Sequence, residues 1–337
     1  MTVTAGGPDF IALQVRDVEA AAAFYEKHLG LRRAPASPPG AVVFATPSDG
    51  RVLRLAFPAD DGHSTVSAEV RQAEDSEGTV QADVTVHTGN PGEDGMGTAS
   101  AESDGMSAVR AQLARILSLD VDGSGFPRLA EDDPVVAELI AAYPGLRPVC
   151  FYSPYEAAAW AVIGHRIRMV QAAAIKARIA ERHGQRFAVA GGSLHAFPTP
   201  PALRGLSRVP GLPETKVKRL RVLADAALAG DLDAARLRAM PVEDALAHLR
   251  TLPGIGPFSA ELILIRGAGH PDVFPRHERR LHASMAEAYG VGDPDASDAR
   301  QLAGISDHWA PYRSWVALLL RTRREEKAGP ARGRSAR

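Results

Sequence analysis

The sequence predicts an α+β protein in which a small α/β N-terminal region precedes a mainly α-helical core. Its 337 residues, 45% of them hydrophobic, are enough for two or three domains with buried cores. Hydrophobic and polar residues alternate from Val80 to Val86, which is typical of a half-buried antiparallel strand. Between residues 134 and 330, apolar residues recur at helical spacing, and glycine or proline separates successive helices.

Charge is distributed unevenly along the chain, although the formal net charge is only −1. Residues 1–130 hold 10 Lys and Arg against 18 Asp and Glu, whereas residues 131–337 hold 29 against 22. Basic residues gain affinity for polyanions because they release counterions from phosphates. The basic second part therefore favours a nucleic-acid partner, and scattered solvated charge is the alternative.

The single cysteine, Cys150, excludes an internal disulfide, a cysteine-rich zinc site and a four-cysteine iron–sulfur cluster. The Asp-x-Asp-Gly spacing that begins at Asp120 is found in calcium loops, but the remaining ligands are missing. The N-terminus lacks a basic-then-apolar signal, and no apolar run approaches the roughly 20 residues that span a bilayer. We therefore expect a cytoplasmic protein without membrane contact, cysteine-rich zinc site or iron–sulfur cluster.

The N-terminal stretch has the order of a βαββ unit. Residues 9–15 predict a strand, Asp17 to His28 a helix, and residues 41–46 and 52–57 two further strands. With the run ALQVRDVEAAAAFYEKHLGL, this order resembles one half-module of the glyoxalase/bleomycin-resistance family, over residues 8 to about 50.

The resemblance to that family lacks the features of a metal site. Its metal-dependent members place a metal-binding His where this chain has Phe10, and they need two modules to close a site. It implies that residues 1–50 are a structural appendage or a pairing surface. A small-molecule metalloenzyme built on residues 8–60 is a third hypothesis for the chain.

Helix signals mark the second part of the chain. Residues 89–105 are rich in Gly, Ser and acidic residues and predict a flexible loop before a helix that includes Val109 to Leu117. Ser153-Pro154-Tyr155-Glu156 is a capping box with proline at the first helical position, which predicts a helix start. That helix breaks near Gly164, and the polar, cationic stretch Gly164 to Arg168 precedes a second helix ending at His183.

Further helices are predicted at 214–229, which has a basic side, at 242–250 and at 311–320. Residues after 320 are basic and contain Pro and Gly, so we expect a disordered tail. The turn Val209 to Pro213 has one glycine and is interpreted as an ordinary turn.

The stretch Leu252-Pro253-Gly254-Ile255-Gly256 predicts an anion site. Two glycines before Pro257 and an apolar helix allow a sharp turn that gathers free N–H groups at a helix N-terminus. Phosphate is the usual ligand of such an array. The polar loop from Asp272 to Leu281 then places Glu278 among cations.

These motifs carry a second resemblance. LRTLPGIGPFSAELILIRGAGHPDVFPRHERRL resembles the helix–hairpin–helix/Gly-Pro-Asp superfamily of DNA glycosylases. SPYEAAAWAVIGHRIRMVQAAAIKARI, HAFPTP followed by a basic helix, and WAPYRSWVALLLR point to its 3-methyladenine DNA glycosylase II branch. The similarity covers about residues 105–322 and continues weakly through 51–88.

The resemblance implies a fold and a function. It divides the chain into a half-module at 1–50, a small α/β domain at 51–130, a helical glycosylase domain at 131–322 and the tail at 323–337. It implies a monofunctional hydrolase that flips alkylated purines out of double-stranded DNA and cleaves the N-glycosidic bond in base excision repair. We expect a monomer, associated with the nucleoid, whose N-terminal half-module could mediate pairing.

The resemblance also implies site residues. The family's catalytic aspartate falls on Glu278, one methylene longer, and a helix-initiating Glu paired with Arg279 or Arg280 is the alternative. Glycosylases with lyase activity carry a lysine where this chain has Phe258, which could stack on the base or belong to the core. DNA contacts are expected from Leu252, Gly254, Ile255, Gly256, Phe258 and Ser259 of the hairpin and from His165, Arg166 and Arg168 of the preceding loop, with Phe258, Tyr155 and Trp160 in the base pocket.

Arg166 stands where the branch inserts a wedge residue into the base stack, and a purely phosphate-binding loop is the alternative. The changes at Glu278 and Arg166 also motivate a second hypothesis, a DNA lesion-binding protein that is weakly active or has lost catalysis.

Overall fold

A computed structural model of the chain describes residues 3–4, 32–33, 44–45, 52–72, 79–87, 99–189, 192–291 and 299–328. The predicted half-module at residues 8–50 lies outside these, except for two short strands, β2 (Arg32–Arg33) and β3 (Phe44–Ala45), which pair antiparallel. The chain divides into two compact units. The first comprises residues 1–7, 52–121 and 149–270, and the second 8–51, 122–148 and 271–337.

Each unit therefore combines segments that are distant in sequence. The predicted domain boundaries near residues 50 and 130 stay predictions.

An antiparallel four-stranded sheet with the order β1-β6-β5-β4 begins the first unit. Its strands are β1 (Val3–Thr4), β4 (Val52–Pro58), β5 (Thr65–Gln72) and β6 (Thr79–His87). The strands predicted at 52–57 and 80–86 are thus present. Strand β5 was not predicted, although Val66, Ala68 and Val70 alternate with polar residues and lie in the buried core.

Helix α1 (Ala99–Ile116) covers one face of this sheet. Val109, Leu113 and Ile116 pack with Phe57 and Val66 in one hydrophobic cluster. The flexible loop predicted at 89–105 is wrong from residue 99 onward, because the helix already begins at Ala99. Packing of the apolar face of α1 on the sheet stabilises the helix despite its Ser- and Gly-containing first turns.

Arg115 at the end of α1 binds the helical part of the same unit. Its side chain is 4% exposed, donates to the carbonyls of Gly267 (2.6 Å) and Tyr152 (2.8 Å), and pairs with Asp60 at 3.1 Å. A buried guanidinium with this many acceptors fixes the sheet and helices of the first unit together.

Two helices of the first unit begin and end as predicted. Helix α4 (Pro154–Gly164) has Ser153 as its N-cap, and the serine side chain accepts from the N–H of Glu156. Helix α5 (Met169–His183) follows it. The Glu156 side chain, 1% exposed, does not complete a reciprocal cap but pairs with Lys176 of α5.

The hairpin of β7 (Arg186–Val189) and β8 (Gly192–His195) was not predicted, and it interrupts the series of helices expected between residues 134 and 330. Phe187 and Leu194 are buried with Ala56, so a small apolar cluster stabilises these strands. The remaining helices of the first unit are α6 (Pro200–Arg204), α7 (Glu214–Leu228), α8 (Ala234–Ala239), α9 (Val242–Arg250) and α10 (Pro257–Leu262), which continues into a π-helical turn at Ile263–Gly267.

Apart from the short strands β2 and β3, the second unit is helical where it is described. After a 3₁₀ turn at Phe126–Arg128 it contains α2 (Leu129–Asp132), α3 (Pro134–Ala142), α11 (Arg279–Tyr289), α12 (Ala299–Asp307) and α13 (Arg313–Ala328). Its core is centred on Trp309, which is fully buried and donates to Asp133 at 3.2 Å.

Helix α13 runs six residues into the region predicted as a disordered tail from 323. Ion pairs explain the extension, because Arg323 contacts Glu138 at 3.3 Å and Lys327 contacts Glu287 at 2.8 Å. The tail prediction is therefore wrong for residues 323–328, and residues 329–337 lie outside the described part.

Candidate nucleic-acid interface

Helices α9 and α10 form a helix–hairpin–helix element whose turn is the predicted two-glycine motif. Leu252 and Ile255 are buried and anchor the turn, and the N–H of Ile255 donates to the carbonyl of Leu252 at 3.1 Å. Gly254 has φ +91°, a conformation that side chains with a Cβ rarely adopt. Gly256 has φ −93° and ψ −179°, which any residue can adopt.

Glycine is required by the backbone conformation at position 254 but not at position 256. At Gly254 the backbone demands it, whereas a Cβ on Gly256 would meet no described atom within 4 Å. Within the described part of the chain, the N–H groups of both glycines make no hydrogen bond. The turn thus exposes two backbone N–H donors, and at Gly256 neither the backbone conformation nor the packing requires glycine. The missing side chain leaves room for a phosphate next to these donors.

Arg219 of α7 places a cation against this turn. A Cβ built on Gly254 would lie 2.8 Å from Cδ and 3.2 Å from Nη1 of Arg219, so this side chain covers the glycine. Among the described residues, its guanidinium has no ion pair or hydrogen bond. The hairpin donors and a guanidinium therefore converge on one surface.

The loop between α4 and α5 is the second cationic element. His165, Arg166 and Arg168 are all exposed. Arg166 has φ +56°, in the left-handed region, and the loop is closed by a 3.3 Å hydrogen bond from the N–H of Ile167 to the carbonyl of Gly164. A non-glycine residue in this region costs on the order of 1–2 kcal/mol and persists only where its surroundings hold it.

Lys216 of α7 holds that loop from behind. Its Nζ donates to the carbonyl of Ile163 at 2.9 Å and to the carbonyl of His165 at 2.6 Å. Desolvation, and then the charge of Arg219, lower the pKa of Lys216. Desolvation, and then Arg166, Lys216 and Arg219, lower the pKa of His165. Helix α7 therefore contacts both the loop and the hairpin.

The three aromatic residues predicted for a base pocket lie in different environments. Tyr155 is buried, its hydroxyl donates to the carbonyl of Pro198 at 3.1 Å, and burial raises its pKa. Trp160 is half-buried. Phe258 at the start of α10 is 48% exposed, so it is not a core residue. Their grouping in one pocket stays a prediction.

The acid loop belongs to the second unit, where α13 holds it at both ends. Asp272 pairs with Arg313 at 2.7 Å, and Ser314 exchanges hydrogen bonds of 3.1 Å with the backbone of Val273. Glu278 is the N-cap of α11, accepts from the N–H of Arg280 at 3.2 Å, and pairs with Arg321 at 3.3 Å.

Arg321 is a buried cation shared by two carboxylates. It is 5% exposed and also contacts Glu325 at 2.8 Å. Desolvation lowers the pKa of Arg321 and raises the pKa of Glu325, against the opposing effect that each charge has on the other. The helix-capping alternative for Glu278 is thus partly met, but the cation beside its carboxylate is Arg321, not the Arg279 or Arg280 side chain.

Three of these side chains, Lys216, Arg219 and Arg321, were not among the site residues predicted from the sequence. The basic side of the helix at 214–229 was the available signal for the first two. Among the described residues, no group of three or more His, Cys, Asp or Glu could hold a metal ion. No helix in that part of the chain is long and apolar enough to cross a bilayer.

The N-terminal part of the chain is similar to a known family. Residues 7–121 match the Glyoxalase/Bleomycin resistance protein/Dioxygenase superfamily. The match extends through β4, β5, β6 and α1, further than the resemblance predicted for residues 8 to about 50.

The larger part of the chain is similar to DNA repair proteins. A probable bifunctional transcriptional activator/DNA repair enzyme AlkA of Mycobacterium tuberculosis is 28% identical over 214 residues, 63% of this chain and 42% of the relative. The chain thus spans less than half the length of that relative. DNA-3-methyladenine glycosylase 2 of Escherichia coli is 28% identical over 222 residues, 64% of this chain and 73% of that protein.

The fold extends the similarity over the whole chain. The solved structure of the 3-methyladenine DNA-glycosylase from Archaeoglobus fulgidus has a TM-score of 0.65 at 20% identity and covers 96% of this chain and 97% of its own. The predicted α+β class with a helical helix–hairpin–helix core is confirmed. Over its larger part the chain is therefore similar to 3-methyladenine DNA glycosylases, and its N-terminal segment is similar to the glyoxalase family.

Proposed function

We propose that the protein is a monofunctional DNA N-glycosylase that excises alkylated purines, of the 3-methyladenine type, from double-stranded DNA. The observation that carries the proposal is the hairpin turn, where the Arg219 side chain covers Gly254 and the N–H groups of Gly254 and Gly256 make no hydrogen bond within the described part of the chain. This surface binds one phosphate of the DNA backbone. His165, Arg166 and Arg168 bind the duplex beside the lesion, and Arg166 fills the space that the flipped base leaves.

The proposed chemistry needs one carboxylate and one water. As the N-glycosidic bond breaks, the sugar develops positive charge, which the Glu278 carboxylate stabilises while water adds to the sugar. Glu278 is one methylene longer than the Asp of the family, and its ion pair with Arg321 fixes where the longer side chain ends. The products are a free base and an abasic site.

No lyase step follows in this proposal. A strand cut through a Schiff base needs an amine nucleophile, and the position at which related glycosylases with lyase activity carry lysine is Phe258. Phe258 is 48% exposed at the start of α10 and is available to stack on a base. The enzyme acts as a monomer without cofactor or metal, in the cytoplasm on nucleoid DNA, and residues 1–50 remain a candidate pairing surface.

One observation favours a second candidate function, a lesion-binding protein with little or no catalysis. Glu278 caps α11 and shares a buried cation with Glu325, which are structural tasks and reduce the negative potential that Glu278 can offer a sugar cation.

The experiment is a release assay on methylated duplex DNA. The proposal expects released 3-methyladenine or 7-methylguanine, DNA strands that stay intact until heated in alkali, and no covalent complex after borohydride treatment. Tight, salt-sensitive binding with no released base at high enzyme would favour the second candidate instead. A borohydride-trapped complex would contradict the absence of lyase activity.

A further inference from the structure

We propose that Lys216 is a positioning residue for base extrusion: it holds the loop Gly164 to Arg168 so that Arg166 can enter the DNA stack. This inference rests on the proposed function and assigns a role to a residue that need not contact DNA. It also makes α7 the element that sets the spacing between that loop and the phosphate-binding hairpin.

Lys216 is placed to control the end of α4. Its Nζ bonds the carbonyls of Ile163 (2.9 Å) and His165 (2.6 Å), which lie on either side of Gly164. Carbonyls in the last turn of a helix have no partner within the helix. A single ammonium therefore satisfies two of them and determines the direction in which the chain leaves α4.

The burial of Lys216 indicates more than a general stabilising role. The residue is only 8% exposed, and the described residues place carbonyls and Arg219 around it but no carboxylate. A buried ammonium without a carboxylate is costly, and a well-packed apolar side chain is often the more stable alternative. The lysine instead fixes the conformation of the loop from Gly164 to Arg168.

The loop it defines is strained at one residue. Arg166 has φ +56° and an exposed side chain that forms no ion pair among the described residues. Without the two bonds to Lys216, the carbonyl of His165 could rotate, and Arg166 could relax to the ordinary right-handed or extended regions. Its guanidinium would then leave the position from which it enters the stack.

The same helix reaches the hairpin. Arg219 lies three residues after Lys216, about 4.5 Å further along the axis of α7, and covers Gly254. Because a single helix contacts both elements, a phosphate held at the hairpin is at a fixed distance from Arg166. Such rigidity matters because a displacement of about 1 Å can cost about a hundredfold in rate.

The test uses the full-length protein and a duplex with 7-methylguanine paired to cytosine and 2-aminopurine beside it, whose fluorescence rises when the stack opens. A second duplex has the lesion mispaired with thymine, where extrusion costs less. Lys216→Met should lower both the fluorescence rise and single-turnover base release on the paired duplex by about ten- to a hundredfold. The loss on the mispaired duplex should be clearly smaller.

Lys218→Met is the matched control, since Lys218 is exposed on the same helix and pairs only with Glu214 at 2.7 Å among the described residues. It removes the same charge and should behave as wild type on both duplexes. Equal losses from Lys216→Met on the two duplexes, or an equal effect of Lys218→Met, would overturn the inference.

A double-mutant cycle with Arg166→Ala separates positioning from general stability. If Lys216 acts through Arg166, Lys216→Met should have little further effect in the Arg166→Ala protein; losses that multiply would contradict it. If Lys216→Met does not fold, Lys216→Arg enters the same cycle. Absence of base release by the wild type would contradict the proposed function, whereas the fluorescence comparison would still decide this inference.

Discussion

Alanine at Gly254 should reduce the stability of the protein more than alanine at Gly256, whereas alanine at Gly256 should weaken DNA binding more. Gly254→Ala forces a Cβ into φ +91° and to within 2.8 Å of Arg219 Cδ. The strained backbone should lower the free energy of unfolding by at least about 1 kcal/mol. Gly256→Ala should leave it unchanged or raise it by about 0.4–1 kcal/mol, because φ −93° suits alanine and the unfolded chain loses freedom.

DNA affinity per folded molecule should fall more for Gly256→Ala than for Gly254→Ala. The methyl group of Gly256→Ala stands beside the N–H where we place the phosphate. Losing one charge-assisted hydrogen bond costs about 1.5–3 kcal/mol, roughly ten- to a hundredfold in Kd. The salt dependence of binding should not change, because no cation is removed.

Urea unfolding and fluorescence anisotropy on a short duplex measure the two effects. Gly211→Ala is the matched control: Gly211 has φ +88° in the similar turn from Val209 to Pro213, so alanine should destabilise it without weakening DNA binding. Wild-type DNA affinity of Gly256→Ala, or a loss of stability as large as that of Gly254→Ala, would show that Gly256 does not lie at a phosphate site.

Three further perturbations test the interface and the acid loop. Arg219→Met should reduce the slope of log Kd against log salt by about 0.9, and an unchanged slope would remove Arg219 from the phosphate site. Because desolvation and then neighbouring cations lower the pKa of His165, and a phosphate would raise it, binding should take up a proton and tighten as pH falls through the range around 6.5. His165→Gln should abolish that pH dependence; its persistence would assign it to another group. Arg321→Met removes the cation that holds the Glu278 carboxylate, so single-turnover base release should fall by about ten- to a hundredfold, and release at the wild-type rate would remove Arg321 from the site. Arg324→Met, which removes a half-exposed cation of the same helix, should leave the release rate unchanged.

Local signals in the sequence were sufficient where a helix is defined by its own ends. The capping serine at 153 and the helix at 242–250 are present as predicted. Local sequence signals did not predict elements that are stabilised by residues distant in the sequence. The strands at 186–189 and 192–195 depend on a cluster with Ala56, and α13 continues past residue 322 because of acids far away in sequence. Composition alone cannot report such partners.

The site shows the same division. Gly254 and Gly256 were recognisable because a tight turn at a helix N-terminus needs particular residues in consecutive positions. Lys216 was not, because its role depends on carbonyls 51 and 53 residues earlier in the chain. Arg321 lies 43 residues from Glu278, and nothing local marks it as the cation beside the acid.

In the proposed mechanism Glu278 takes part in the chemistry and does not only cap a helix. Single-turnover release of base from methylated duplex DNA by wild type and Glu278→Gln, with the Kd of each protein measured in parallel, tests it directly. The amide keeps an oxygen that can accept from the Arg280 N–H, so the cap and the fold should survive while the negative charge is lost. Release should fall by at least about a hundredfold while Kd stays within about threefold. Release by Glu278→Gln at the wild-type rate would contradict this role of Glu278.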